Sequence, residues 1–188
     1  MKTRPTLAWL LVLPLAIAPA AAQEALRPGA EQIVDFETLP SGTIATPFKD
    51  PGGRYTIAAS HRGPFLYGER AESGMRPMSG RYLAIRPGTT ERTNLTSIVF
   101  GPGVLGSDVS FDYWIQAPGE QAVKLGCVFS GGHETSAWSG ATVRAGNYSC
   151  HAPAGTTVRE IHLGTTFEGG ILRIDNLVIH MGSALAKD

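Results

Sequence analysis

Oxygen-bearing side chains gather at the two ends of the chain. Val34-Asp-Phe-Glu37 supplies Asp35 and Glu37, and Arg173-Ile-Asp-Asn-Leu-Val-Ile179 supplies Asp175 and Asn176. Carboxylates, amide oxygens and backbone carbonyls are what a calcium ion collects, roughly six to eight at a time. Both stretches read as strands, in which alternate side chains share a face, so Asp35 and Glu37 point the same way. Asp175 and Asn176 point to opposite faces unless a bulge intervenes, so only one of them is expected to ligate. First and last strands of a sandwich are often neighbours, which would bring the two acidic stretches together. Solvated acids on an open sheet face would give the same pattern with no ion.

The elements that must position these residues are short and extended. Gln32–Glu37 reads as a first strand, ended by Leu39-Pro-Ser-Gly-Thr43, and Arg54–Ser60 as a second. Between Gly63 and Gly80 the pattern dissolves into Gly, Pro and charge, as in a long surface excursion. Arg81–Arg86 and Leu95–Phe100 follow. The clearest alternation is Asp108-Val-Ser-Phe-Asp-Tyr-Trp-Ile115, with Val109, Phe111, Tyr113 and Ile115 on one face and Trp114 on the other. Gln121–Ser130 and Ala141–Cys150 form an expected pair joined by the Gly131-Gly132-His133 loop, and Thr157–Leu163 and Ile171–His180 complete the set. The 23 Gly and 13 Pro, scattered without period, punctuate these runs. Nine or ten short runs without helical periodicity predict an all-β chain, an antiparallel β-sandwich of jelly-roll type. The whole of 32–181 reads as one domain.

The N-terminal stretch concerns address rather than fold. Lys2 and Arg4 precede the apolar run Leu7–Ala18, and Ala20-Ala21-Ala22 follows just before Gln23. That order is a secretory signal peptide over residues 1–22, followed by a short leader over 23–31 and, at the far end, a tail over 182–188. The expected location is periplasmic or secreted, with no membrane span once the signal is removed. Without Lys2 and Arg4 the chain carries 14 basic residues against 16 acidic ones. Such a balance leaves no field to draw nucleic acid or an anionic membrane. Cys127 and Cys150 are the only cysteines, and in an oxidising compartment an isolated pair is expected to form a disulfide.

The opening Asp-Phe-Glu with Leu-Pro-x-Gly-Thr, and the closing Ile-Asp-Asn-Leu-x-Ile, resemble secreted bacterial jelly-roll domains such as those of PEP-CTERM-type proteins. Pairing acids on the first strand with an Asp on the last is also similar to MAM domains and family 6-type carbohydrate-binding modules. The resemblance implies a jelly roll with a structural calcium near Glu37 and Asp175. It implies as well a non-catalytic recognition role, with a carbohydrate or polysaccharide as partner. Sugar rings stack on exposed aromatic faces, so Trp114, Trp138 and Tyr67 are the candidate contacts. A cell-surface or matrix protein that binds other proteins through the same sandwich is the alternative. A polysaccharide-cleaving enzyme is a further one, with Glu120, Glu134 and Glu160 as conceivable carboxylates. The chain shows no nucleophile elbow, phosphate loop or dinucleotide fingerprint. No two of its five His stand two residues apart, as a cupin-type metal pair requires.

Overall fold

A computed structural model describes residues 30–60, 64–86, 94–116, 123–139, 145–165 and 171–181. The signal segment, most of the leader, the tail and Glu120 lie outside the described residues. Thirteen strands run through the rest: β1 (Glu31–Val34), β2 (Gly42–Ile44), β3 (Phe48–Lys49), β4 (Tyr55–Ala59), β5 (Phe65–Arg70), β6 (Arg81–Arg86), β7 (Asn94–Phe100), β8 (Gly106–Gln116), β9 (Val123–Phe129), β10 (Glu134–Ser139), β11 (Ala145–His151), β12 (Val158–Thr165) and β13 (Ile171–Met181). All pairings are antiparallel. Among the described residues no helix is long and apolar enough to cross a membrane.

Two sheets form the sandwich. The first has the order β2-β5-β6-β13-β8-β11, with β1 beside the C-terminal half of β13. The second runs β3-β4-β7-β12-β9-β10. Among the described residues they meet in register only where Val158 of β12 faces Gly106 of β8. Strand alternation turns Leu83, Ile85, Phe111, Leu172 and Ile174 inward from the first sheet. Ile57, Ile98, Leu125, Ile161 and Leu163 point inward from the second, and these residues are buried in one continuous core. The Cys127–Cys150 bond joins β9 of one sheet to β11 of the other, 23 residues apart in the chain.

The all-β sandwich stands as read, and β1 does pair with β13, Val34 facing Leu177. Several elements differ from the reading. The first strand stops at Val34, because Phe36 adopts a left-handed φ of 56° and turns the chain. That turn drives the Phe36 ring into the core, edge-on to Tyr55 at 5.9 Å. Asp35 and Glu37 therefore sit in a turn rather than on one strand face. The Gly63–Gly80 excursion contains a full strand, β5. The hairpin partner of β9 is β10, register-paired from Glu134 to Ser139, while β11 crosses to the first sheet beside β8.

Asp50 secures the turn that carries Glu37. Its side chain is fully buried and accepts from Arg54 Nε at 2.8 Å and Nη2 at 3.0 Å, from the Arg54 amide at 3.2 Å, and from the Thr38 hydroxyl at 3.3 Å. The hydrogen bonds from Arg54 hold its carboxyl below the usual range, against the opposing effect of burial. A depressed native pKa contributes stability that is present above the unfolded value of about 3.9 and is lost as pH falls through the native one. Asp50→Ala is expected to cost about 2 kcal/mol, since Arg54 remains partly solvated. An acid titration followed by far-UV dichroism checks this: the variant should lack part of the wild-type loss of stability below about pH 4.

Candidate functional site

The outer face of the first sheet carries a row of residues that runs across the strands. Thr43 faces Tyr67, Tyr67 faces Ala84, Ala84 faces Arg173, Arg173 faces Trp114 and Trp114 faces Ala145. Each lies outside because its neighbours in sequence, Leu66, Leu83, Ile85, Leu172, Ile174, Tyr113 and Ile115, are taken by the core. Tyr67 and Trp114 stand three strand spacings apart, roughly 14 Å.

Charge and ring contacts lock this row. The Arg173 guanidinium lies 4.7 Å over the Trp114 ring and 5.8 Å from that of Tyr82, and Arg86 lies 4.6 Å over Tyr67. Arg173 Nη1 donates to Gln116 Oε1 at 3.1 Å and its Nε to the Tyr82 hydroxyl at 3.3 Å. Glu69 is the counter-ion: it accepts from Arg86 at 2.6 Å and from the Tyr82 hydroxyl at 2.9 Å, with Arg173 at 3.8 Å. Burial pushes the Tyr82 hydroxyl pKa up, so it stays a neutral donor. A buried arginine held by one carboxylate and two ring faces is a preorganised arrangement, because little side-chain freedom remains to be lost when a ligand arrives.

Met78, Tyr82 and Ala84 form a small apolar cluster in the middle of this face, and Tyr67, Ala71, Met75, Trp114 and Ile171 pack against it. The segment before β6 thus covers the centre and leaves Tyr67 and Trp114 half-buried on its flanks. An arginine lies over each of these two rings. Of the three aromatics selected from sequence, the structure brings Tyr67 and Trp114 into one row. Trp138 lies in β10 of the other sheet, with its backbone opposite Lys124. Its side chain is outside the described residues. Glu69, Tyr82 and Arg173 escaped the sequence reading, although period-2 alternation in Arg81–Arg86 puts Tyr82 with Arg86.

The acidic stretches meet below this row. Asp175 Oδ2 accepts the Ser79 amide at 2.7 Å and Glu37 Oε1 accepts the Arg81 amide at 2.6 Å, so the two carboxylates take alternate N–H groups of one segment. Gly80 lies between them with φ 55°, and a Cβ there would stand 1.9 Å from Glu37 Oε1. Only glycine satisfies both the left-handed backbone and the close approach. Asp35 Oδ1 accepts the Glu37 amide at 3.2 Å and so caps its own turn. A bulge between Asp175 and Val178, with Asn176 at φ 49°, brings Asn176 to the same side as Asp175. There its amide donates to Asp112 Oδ2 at 2.9 Å and to the Pro77 carbonyl at 3.4 Å. Burial pushes the Asp175 carboxyl up. Its Oδ1 is buried without a hydrogen-bond partner, and a cation is the kind of group that would satisfy it. Among the described residues no three His, Cys, Asp or Glu side chains are placed to hold a metal together. An ion here would rest on Glu37, Asp175 and backbone oxygens.

On the second sheet, Glu160 and Glu134 both reach His162, at 2.8 Å and 3.4 Å. Lys124 at 2.5 Å holds the Glu134 carboxyl below the usual range. A carboxylate kept ionised in this way is poorly matched to general acid work.

No family model matches the chain, and no curated protein is similar to it in sequence. Solved structures are similar in fold, and β-sandwich carbohydrate-binding modules are among them. A mutant of the family 29 module CBM29-2, complexed with mannohexaose, superposes with a TM-score of 0.51 at 13% identity, over 82% of this chain and 93% of that one. A second CBM29-2 mutant gives 0.50 at 15% identity, over 82% and 94%. The CBM22-1 xylan-binding domain from Paenibacillus barcinonensis Xyn10C gives 0.51 at 11%, over 85% and 100%. At such identities the likeness establishes the sandwich, and function has to be argued from the site.

Proposed function

We propose that the protein is an exported, non-catalytic module that binds a carbohydrate on the outer face of its first sheet. The observation that carries this reading is the cross-strand row in which Tyr67 and Trp114 flank Arg173, with Arg86, Glu69 and Gln116 around them. Aromatic faces supply stacking surface, and the polar groups supply paired donors and acceptors for ring hydroxyls. Carbohydrate binding by modules with the same sandwich supports the choice of ligand class. The disulfide and the N-terminal signal pattern support export. Titrating the purified protein against a panel of soluble polysaccharides, by affinity electrophoresis and calorimetry, tests the reading. Saturable binding to one sugar class is expected. No binding across the panel would retire the carbohydrate reading in favour of a protein partner.

The same reading includes a structural calcium, held by Glu37 and Asp175, that ties the turn after β1 and the bulge of β13 to the segment before β6. Bound calcium would supply positive charge to the orphaned Asp175 oxygen. A ligand that binds only the folded state stabilises by about 2.7 kcal/mol at a hundredfold excess over its Kd. Thermal melts in calcium and in chelator check this. Wild type should melt higher in calcium, and Asp175→Ala should melt at one temperature in both. Asp175 also holds the Ser79 amide, so the calcium difference, not the absolute melt, is the deciding quantity.

A further inference from the structure

We propose a second binding site, for a small amphipathic carboxylate, at the end of the sandwich where β7 and β9 finish and β8 and β12 begin. The site is an open depression of about 310 Å³, a size at the lower end of small-molecule pockets. Its lining combines apolar surface from Phe100, Val104 and Leu105 with the hydroxyls of Ser130 and Thr157. Among the described residues Arg159 is the one charged group that borders it.

The register explains how an arginine comes to stand there. β9 and β12 pair Phe129 with Val158 and then Val128 with Glu160, so β12 carries one residue more than its partner. That extra residue is Arg159, exposed next to the buried Val158. A bulge of this kind re-aims the side chain it inserts. Among the described residues Arg159 has neither a hydrogen-bond nor an ion-pair partner. The next residue, Glu160, is engaged by His162 at 2.8 Å.

Backbone hydrogen bonds hold both rims in place. The Val104 amide donates to the Gly101 carbonyl at 2.9 Å, and the Gly101 amide to the Arg54 carbonyl at 2.8 Å. On the other rim the Ser130 amide donates to the Thr157 carbonyl at 2.8 Å, and the Thr157 amide to Ser130 Oγ at 3.1 Å. Ser130 Oγ therefore accepts and keeps its own hydrogen to give. Among the described residues neither hydroxyl donates to another protein group.

These groups define the ligand. A guanidinium and two free hydroxyls call for an acceptor, and a carboxylate matches the guanidinium fork with two parallel hydrogen bonds. With no second cation in the lining, one negative charge is what the site balances. Leu105 is 57% exposed, one of three large hydrophobics left so among the described residues, and covering it rewards an apolar body behind the carboxylate. Phe100 is only 8% exposed, so a sugar ring has no open aromatic face to stack on here. The inference is independent of the carbohydrate reading and of the calcium at Glu37 and Asp175.

Calorimetry at pH 7.5 with 4-phenylbutyrate tests it, beside 4-phenylbutanol, which lacks the charge, and acetate, which lacks the apolar body. One equivalent of 4-phenylbutyrate is expected to bind, 4-phenylbutanol at least tenfold more weakly, and acetate not measurably. Arg159→Gln should weaken 4-phenylbutyrate at least tenfold and leave 4-phenylbutanol unchanged, and Leu105→Ser should weaken both. Both side chains are exposed, so the melts of these variants should stay near wild type. Arg70→Gln, at an exposed arginine of β5, should bind as wild type does. Absence of saturable 4-phenylbutyrate binding overturns the proposal. So does binding that survives either lining substitution, is lost with Arg70→Gln, or is matched by the alcohol.

Discussion

Replacing Cys127 and Cys150 together by alanine is expected to lower the melting temperature by about 10 °C. The bond is the one disulfide of the chain, and it ties an edge strand of one sheet to an interior strand of the other. Among the described residues β11 is an edge strand that pairs only with β8, whereas β9 sits between β12 and β10 in the opposite layer. Closing a loop of this length removes roughly 3 kcal/mol of unfolded-state entropy in the chain-entropy model. For a domain of this size each kcal/mol moves the midpoint by about 2–4 °C. Alanine is preferred to serine because Cys127 is fully buried, and a hydroxyl there would add a desolvation cost of its own. Scanning calorimetry of wild type with and without reductant, beside the double variant, is the check. Reduced wild type and the variant should coincide near the lower midpoint. If neither moves, native packing alone holds β11 on the sandwich. Tyr148 contributes to that packing by lying against Phe111, ring centroids 5.3 Å apart.

How much of this was legible in the sequence depended on whether a strand had one wet face. β8 alternates cleanly, so Phe111 and Tyr113 could be assigned inward and Trp114 outward, and the register confirms it. β5 was illegible because Gly68 breaks its apolar face. That glycine is there because the Pro40 carbonyl passes 2.1 Å from where a Cβ would stand, a constraint between segments far apart in the chain. The turn at Phe36 was hidden for a similar reason: a bulky residue with positive φ is disfavoured locally and is held by core burial against Tyr55. The candidate site divides the same way. Aromatics and acids could be picked by type, but Glu69 with Arg173 is a cross-strand partnership. Period-2 alternation says which face a residue takes, not which residue on another strand it will meet. The same limit explains the hairpin of β9. Turn chemistry at Gly131-Gly132-His133 was read correctly, but which run followed it as partner was set by the sheet order.

Trp114→Ala is expected to weaken carbohydrate binding at least thirtyfold, the loss of about 2 kcal/mol that marks an aromatic anchor. Its effect on stability should be smaller than for a core aromatic. The ring is half-buried, with Arg173 over it and the Met78 cluster packed against it, so about 1–2 kcal/mol is expected against the 3–5 of a fully buried ring. Phe111→Ala, on the opposite face of the same strand, supplies the contrast. It should cost about 3–5 kcal/mol and leave the affinity of the folded fraction unchanged. Tyr67→Ala tests the far end of the row, three strands away, and should reduce affinity without touching Arg173. Arg173 separates two contributions that Trp114 alone confounds. Arg173→Met keeps an apolar stem against both rings but leaves Glu69 with less counter-charge, so affinity should fall even where stacking survives. The comparison that decides the location of the site is Trp114→Ala against Trp138→Ala. If Trp138 carries the binding and Trp114 does not, the ligand sits on the second sheet, and the arginine-locked row is then a stabilising surface network. Loss at Trp114 and Tyr67 together, with Trp138 neutral, places the sugar chain along the row, across the strands.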